Sequence, residues 1–187
     1  MTTLFTIGYE QASIGDFVAT LCDADVACVL DVRAVPVSRK PGFSKSSLQR
    51  VLANSGIGYI HIATLGNPPR GRDAAKAGKD AEFRQVFEEH LKSSQARRGL
   101  ADAASHASRG RACLLCFERD ARHCHRLMVA QSLQMEHDFV VRHLTVPRPG
   151  ASGSCCGSNG KSADTGQGRA PSKPAARGDR VLRGCNA

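Results

Sequence analysis

The sequence predicts an α/β fold built on a mainly parallel β-sheet of about five strands. Two observations lead to this prediction. Five short apolar runs with the character of strands are separated by segments whose apolar residues follow helical spacing. At 187 residues the chain is long enough for one domain with a sizeable core. Because strands that alternate with helices form parallel sheets covered on both faces, we expect a single Rossmann-like, three-layer domain.

The first half of the chain supplies three of the predicted strands and two helices. The runs LFTIG, CVLDV and IGYIHI are short, apolar and typical of strands. Ser13 is a predicted N-cap for the first helix because Asp16 follows three residues later. Ser44 marks the predicted start of the second helix, and Gly56 lies just past its end.

The second half begins with a polar segment rich in glycine and proline, from Leu65 to about Gly78. We predict a long loop there with a functional role. Beyond it the sequence predicts, in order, a helix through Phe83, Val86, Phe87 and Leu91, a helix over Leu100–Ser108, the strand ACLLCF, a helix from Cys124 to about Met135 and the strand FVVRHL.

The composition changes abruptly at Pro147. Residues 1–146 are therefore predicted to form the α/β domain, and residues 147–187 a disordered basic tail. The tail has eight Gly, four Pro and five Ser, and its only large aliphatic residues are Val181 and Leu182. Such a segment cannot bury enough apolar surface to offset its ordering entropy. Seven Lys/Arg against two Asp give it +5 of the total +9, which makes nucleic acid a possible partner through the tail.

The cysteines and the N-terminus predict a cytoplasmic protein. The eight cysteines show no regular spacing of a disulfide framework, and Cys28 and Cys113 lie within apolar runs. The N-terminal run is too short for a signal peptide or a membrane span, and no later stretch is long enough. A reducing cytoplasm without membrane contact is the expectation. The sequence predicts no cofactor and leaves the oligomeric state open.

The segment LLCFERDARHCHRL, residues 114–127, is the predicted functional site. In open parallel sheets ligands bind beyond the carboxyl ends of the strands, and this segment runs from the fourth strand into a helix. The helix start and Arg126 favour a thiolate at Cys124, while the planar fork of Arg126 suits phosphate or carboxylate. Glu118, two residues past Cys116, is a candidate general acid or base. The predicted catalytic residues are Glu118, Cys124 and Cys116.

Several other chemistries use the same segment. The C-x5-R spacing of Cys116 and Arg122 matches cysteine phosphatases, although acidic residues inside the spacing oppose it. A zinc site would use Cys116, His123, Cys124 and His125, but adjacent Cys-His pairs seldom point at one metal, so no metal is predicted. A persulfide on Cys124 would make the protein a sulfurtransferase. In a purely structural alternative the cysteines fill space and the glutamate pairs with a neighbouring arginine.

The loops after the first two strands add polar residues at the same edge of the predicted sheet. Asp31 and Arg33 follow the second strand; they either help to bind an anion or simply pair with each other. Arg39 lies in the basic run SRKPGFSK, which either cradles phosphate or forms a solvated surface. The predicted anion-binding residues are Tyr9, Asp31, Arg33, Arg39, His125 and Arg126.

Taken together, several motifs resemble one known family, the domain-of-unknown-function family 488. They are TIGYE, DVR, SRKPGFSK, YIHIATLGNP and LLCFERDARHCHR, in that order, over about Leu4 to Leu144. The sequence departs from the family pattern at Gln11 and Val35. The resemblance implies a compact α/β domain, and by position it singles out Gly8, Asp31, Arg33, Pro36, Ser38, Arg39, Phe43, Leu65, Gly66, Cys116, Glu118, Cys124, His125 and Arg126.

The function predicted from these residues is that of an enzyme acting on a phosphate-bearing small molecule, such as a nucleotide or a nucleic-acid component. Two alternatives stay open. The first is a non-catalytic module that binds nucleotide or nucleic acid. The second is a thiol redox or sulfur-transfer protein that uses Cys124.

Overall fold

A computed structural model of the chain describes residues 2–148, whose centre is a five-stranded sheet in which every strand pair is parallel. The predicted α/β fold with a parallel sheet is confirmed. The strands lie in the order β3-β2-β4-β1-β5. They are β1 (Thr2–Gly8), β2 (Cys28–Asp31), β3 (Gly58–His61), β4 (Ala112–Cys116) and β5 (Phe139–Leu144).

Six α-helices within residues 2–148 connect and cover these strands. No helix in this part of the chain is both long and apolar enough to cross a lipid bilayer. Most of the predicted tail, residues 149–187, lies outside the described residues. The helices are α1 (Ile14–Asp23), α2 (Lys45–Asn54), α3 (Pro69–Lys76), α4 (Asp80–Leu91), α5 (Ser94–Ser108) and α6 (His125–Glu136), with short 3-10 helices at Ala63–Leu65 and Ala121–His123.

The core has two halves, one on each face of the sheet. Because successive side chains of a strand point to opposite faces, Leu4 of β1 packs with residues of α4, α5 and α6, whereas Phe5 packs with residues of α1 and α2. Strand β4 behaves in the same way: Cys116 belongs to the first half of the core and Leu115 to the second. The helices therefore form an outer layer on either side of the sheet.

The prediction of a long loop from Leu65 to Gly78 is wrong, because α3 occupies Pro69–Lys76. Pro69 stands at the first helical position, where its fixed φ is already helical and its missing N–H is not needed. In the sequence, Gly71 is typical of a loop. In the structure, a Cβ at this position would come within 2.1 Å of Oδ1 of Asn67. This glycine therefore permits a close contact inside a helix.

The predicted helix ends are confirmed in part. Ser13 caps α1 by accepting a hydrogen bond from the backbone N–H of Asp16. Gly56 follows α2 with a φ of +72°, the left-handed conformation that favours glycine. Ser44 does precede α2, but its hydroxyl does not cap the helix and instead donates to the carbonyl of Ser38 at 3.0 Å.

Helix α5 begins earlier than its apolar spacing predicts. It starts at Ser94 rather than near Leu100, because the Ser93 hydroxyl accepts a hydrogen bond from the backbone N–H of Ala96 and so caps an additional turn. Gly99 lies inside this added stretch, where a Cβ would come within 2.4 Å of Oγ1 of Thr64. The glycine lets α5 approach the segment after β3 closely.

Candidate functional site

The carboxyl ends of three adjacent strands bring the predicted site residues to one edge of the sheet. Strand β4 lies between β2 and β1. Gly8 of β1 is in register with Cys116 of β4, and Asp31 of β2 is in register with Leu115. The loops that follow these strands therefore leave the sheet at the same level and side by side.

Two cysteines and a histidine form a buried cluster at this edge. Cys116 ends β4, Cys124 directly precedes α6, and His125 is the first residue of α6. All three side chains are almost fully buried, with exposures of 6%, 4% and 6%. The Cys124 sulfur lies 3.8 Å from Nδ1 of His125, and the Cys116 sulfur lies 3.7 Å from the same atom. Nε2 of His125 is 2.9 Å from the carbonyl oxygen of Val32.

The contacts within this cluster favour one distribution of protons. Burial raises the pKa of Cys124, but a hydrogen bond from the Cys116 thiol and the charges of His125 and Arg126 outweigh burial, so that the pKa falls well below its usual range. The hydrogen bond to Cys124, together with burial, raises the pKa of Cys116. Burial lowers the pKa of His125, yet the Cys124 thiolate raises it overall. These directions favour a Cys124 thiolate beside a Cys116 thiol and a protonated His125.

The same three residues are a candidate metal-binding group, since their ligand atoms all lie within 4.8 Å of one another. Sulfur and nitrogen ligands of one tetrahedral zinc ion stand about 3.6 Å apart, which the Cys124–His125 contact resembles. Cys116 differs, because its sulfur is nearly equidistant from the two ring nitrogens, at 3.7 and 4.0 Å. The Cys116 sulfur therefore faces the side of the imidazole ring rather than the lone pair of Nδ1. An ion bound at Nδ1 would reach Cys116 only after that side chain rotated.

Arg126 is buried beside this cluster, with 1% of its side chain exposed. Its guanidinium donates to the carbonyl oxygens of Glu118 and Arg119, the latter at 2.8 Å. The structural alternative, in which the Glu118 carboxylate pairs with a neighbouring arginine, does not describe Arg126, because its acceptor on Glu118 is the backbone carbonyl. The fork of Arg126 thus ties the start of α6 to the loop after β4.

Glu118 lies two residues beyond the end of β4 and does not continue the strand. Its side chain is half-buried. Burial raises the pKa of its carboxyl, and the nearby negative charges of Cys124 and Glu10 add to this effect. A carboxyl group with a raised pKa, close to a thiolate and reachable from solvent, is suited to carry protons.

Gly8 permits a very close approach between β1 and the loop after β4. A Cβ at Gly8 would lie 1.8 Å from the carbonyl oxygen of Glu118, which is a backbone atom that cannot rotate away. The same carbonyl accepts from Arg126. The absence of a side chain at position 8 therefore helps to set the position of the loop that carries Glu118.

Asp31 and Arg33 form a buried ion pair, as one of the two interpretations of the sequence expects. Nε of Arg33 donates to Asp31 Oδ1 at 2.8 Å, and Nη1 donates to the hydroxyl of Tyr9 and the carbonyl of Phe43. The hydroxyl of Tyr59 donates to Asp31 Oδ2 at 2.6 Å. Because these contacts use most of the guanidinium donors of Arg33 and leave Asp31 fully buried, the group forms a structural brace within the edge.

The remaining predicted residues lie at the surface. Arg39 is exposed, in a loop closed by the mutual hydrogen bonds of Ser38 and Ser44. Arg122 is also exposed and pairs with Asp120 at 2.7 Å, whereas Cys116 is buried. The loop of a cysteine phosphatase would bring this cysteine and arginine together around one anion, and this structure does not.

Some contributors to the site were not among the predicted site residues. Tyr59 begins the motif YIHIATLGNP, yet nothing in that motif indicated that its hydroxyl would hold Asp31. Phe87 packs edge-on against the His125 ring, with centroids 5.1 Å apart. The backbone carbonyl of Val32 fixes the orientation of that ring, and only the pairing of β2 with β4 could have revealed this contact.

One family model, described as "Domain of unknown function DUF488", matches residues 13–133. The matched segment begins just before α1 and ends inside α6, so it contains Cys116, Cys124, His125 and Arg126. No curated protein and no solved structure matches the chain.

Proposed function

The chain belongs to the family of the domain of unknown function DUF488, and we propose that it is an enzyme whose nucleophile is the Cys124 thiolate. The observation that carries the proposal is the contact of the Cys124 sulfur with Nδ1 of His125 at 3.8 Å. A buried thiolate persists only beside positive charge or hydrogen-bond donors, which His125, Arg126 and Cys116 supply. A cysteine paired with histidine in this way is an activated nucleophile near neutral pH.

Thiol chemistry fits these contacts better than an anion clamp built from the predicted arginines. A clamp needs guanidinium donors that face an open site. The donors of Arg33 are used by Asp31, Tyr9 and Phe43, and two of the nitrogens of Arg126 are used by backbone carbonyls. The second alternative predicted from the sequence, a thiol-dependent protein, is therefore the one we favour.

In the proposed reaction the Cys124 sulfur attacks an electrophilic atom and forms a covalent bond to it. The imidazolium of His125 gives its Nδ1 proton to the leaving group, while Nε2 stays bound to the Val32 carbonyl. Glu118 exchanges protons between the site and solvent. Because only 4% of Cys124 is exposed, the group it attacks is slender and projects from the rest of the substrate.

We propose that this chemistry takes place in the cytoplasm. Within the described residues Cys22, Cys113, Cys116 and Cys124 are free thiols, which a reducing compartment preserves. We also propose that the substrate binds beyond the carboxyl ends of β1, β2 and β4, as ligands do in Rossmann-like folds.

The rate of alkylation by iodoacetamide tests the proposal. We expect Cys124 to be labelled faster than the fully buried Cys113, whose pKa is raised by burial. Because the lowered pKa keeps more of Cys124 ionised, its rate should fall less steeply between pH 9 and pH 7 than the rate of an ordinary thiol. Peptide mass mapping measures both rates on the full chain.

A pair of neighbouring histidines provides the control. His125→Asn should remove the neutral-pH reactivity of Cys124, because the thiolate loses its charged partner. His123→Asn should leave the profile unchanged, since His123 is exposed. If Cys124 were labelled slowly, and at the same rate in the wild type and in both variants, it would not be the nucleophile.

A phosphate-bearing small molecule such as a nucleotide is a second candidate, favoured by Arg39. This residue is exposed in the loop between β2 and α2, and none of the ion pairs or hydrogen bonds within residues 2–148 involves its side chain. An enzyme of this kind would bind its anion at the mouth of the site. Most of the basic segment on which nucleic-acid binding was predicted lies outside the described residues, so that alternative stays a prediction.

Thermal shifts with nucleotides test this second candidate. A nucleotide at about 100 times its dissociation constant should stabilise the folded protein by about 2.7 kcal/mol. Arg39→Ala should abolish the shift, whereas Arg50→Ala, which removes an exposed arginine from α2, should preserve it. Equal shifts in the two variants would exclude Arg39 as the anion ligand.

A further inference from the structure

We propose that Cys116 is the resolving cysteine of this site, and that Cys116 and Cys124 together reduce small hydroperoxides by cycling between a dithiol and a disulfide. The proposal rests on the proposed role of Cys124 as nucleophile. It gives a covalent role to a second thiol that otherwise only helps to stabilise the Cys124 thiolate.

The geometry places the two sulfurs close enough for this exchange. They lie within 4.8 Å of one another, one at the end of β4 and the other directly before α6. In a disulfide the two sulfur atoms are about 2.05 Å apart. Rotation of the two short cysteine side chains can bring the sulfurs toward that distance. The Cys116 sulfur already faces the His125 ring, the same group that contacts Cys124. One imidazole thus serves both sulfurs.

The first step oxidises Cys124. Its thiolate attacks the terminal oxygen of the hydroperoxide, the O–O bond breaks, and an S–O bond forms. The departing alkoxide takes the Nδ1 proton of His125 and leaves as an alcohol, or as water when the oxidant is hydrogen peroxide. Cys124 is then a sulfenic acid and His125 is neutral.

The second step joins the two cysteines. As the Cys116 side chain rotates toward Cys124, Nδ1 of neutral His125 takes the proton of its thiol, and the resulting thiolate attacks the Cys124 sulfur. The S–O bond breaks, and the departing hydroxide takes the proton back from His125 to form water. Two molecules of a small thiol then restore the dithiol and are themselves oxidised to a disulfide.

The enclosure of the site favours a hydroperoxide over larger electrophiles. Cys124 is only 4% exposed, and the reacting oxygen of a hydroperoxide is the terminal atom of an uncharged group. The buried arginines at this edge already donate to protein acceptors, and a hydroperoxide needs no clamp for a negative charge.

Peptide mapping after treatment with hydrogen peroxide tests the proposal on the full chain. We expect a disulfide between the tryptic peptides 112–119 and 123–126, because trypsin cleaves after Arg111, Arg119, Arg122 and Arg126 and so separates the two cysteines. The Cys113→Ser variant should give the same link, which assigns it to Cys116 within the first peptide. Dithiothreitol should reverse it completely.

The Cys116→Ser variant separates the resolving step from the nucleophilic step. Its hydroxyl can still donate to the Cys124 thiolate, but it cannot form a disulfide. We expect dimedone, which traps sulfenic acids, to label Cys124 strongly in Cys116→Ser and weakly in the wild-type protein. The Cys113→Ser variant, altered in the same strand at an equally buried cysteine, should behave like the wild type.

Three outcomes would overturn the proposal, and they identify the step at fault. Equal dimedone labelling of Cys124 in the wild type and Cys116→Ser would show that Cys116 does not resolve the adduct while leaving the nucleophile intact. No oxidation of Cys124 in any protein, together with slow alkylation, would remove the nucleophile as well. A stoichiometric zinc ion in the purified protein, lost in Cys116→Ser and Cys124→Ser, would make the pair metal ligands.

Discussion

Asp31→Asn should lower the free energy of unfolding by about 3–5 kcal/mol, the scale found when one partner of a buried ion pair is removed. Asp31 is fully buried and Arg33 is only 5% exposed, so the guanidinium would keep its charge without a carboxylate to balance it. The amide that replaces Asp31 would also put an NH2 group in place of one carboxylate oxygen, and both oxygens accept hydrogen bonds from Arg33, which can only donate. Chemical denaturation monitored by circular dichroism measures the change.

The chain contains a matched control for this substitution. Asp120 and Arg122 form an ion pair with the same spacing and the same two-pronged geometry, but their side chains are 40% and 81% exposed. Water can replace the lost partner there, so Asp120→Asn should leave the free energy of unfolding nearly unchanged. Comparable losses in the two variants would mean that burial does not set the strength of the Asp31–Arg33 pair.

Gly8→Ala should lower the free energy of unfolding by about 3 kcal/mol or more, at the upper end of the cost of overpacking a core. The new Cβ would stand 1.8 Å from the Glu118 carbonyl oxygen, so β1 and the loop after β4 would have to separate. That movement would also strain the hydrogen bond from Arg126 to the same carbonyl. A denaturant titration gives the stability, and the rate of Cys124 alkylation reports on the site.

Gly58→Ala is the corresponding control in the same sheet. The nearest atom to a Cβ at Gly58 is the Cys28 sulfur at 3.4 Å, which is an ordinary van der Waals contact. This substitution should be neutral or should stabilise the protein by a few tenths of a kcal/mol, up to about 1, through the unfolded state. If Gly8→Ala were equally mild, the close approach at Gly8 would not be a constraint on the fold.

The strands and the sheet type were predictable from sequence because burial on both faces leaves continuous apolar runs. The run FVVRHL matches β5 residue for residue. Helix α3 was missed because its glycine and prolines are typical of loops, whereas Pro69 begins a helix and Gly71 fits against Asn67. Such contacts between distant segments have no local signature.

The site was predictable as a location and only partly as chemistry. The sequence identified the segment with Cys116, Cys124 and His125, but adjacent Cys and His side chains seldom converge, and their meeting depends on how α6 begins. It also pointed to Arg33 and Arg126 as anion ligands. Their acceptors include the backbone carbonyls of Phe43, Glu118 and Arg119, and backbone atoms leave no trace in a sequence pattern.

The sheet also divides the edge into two compartments with separate tasks. The thiols of Cys116 and Cys124 belong to the core half shared with α4, α5 and α6, whereas Tyr9 and Phe43, which hold Arg33, belong to the half shared with α1 and α2. Protein engineers could therefore randomise the first side to alter reactivity while the second continues to secure the scaffold.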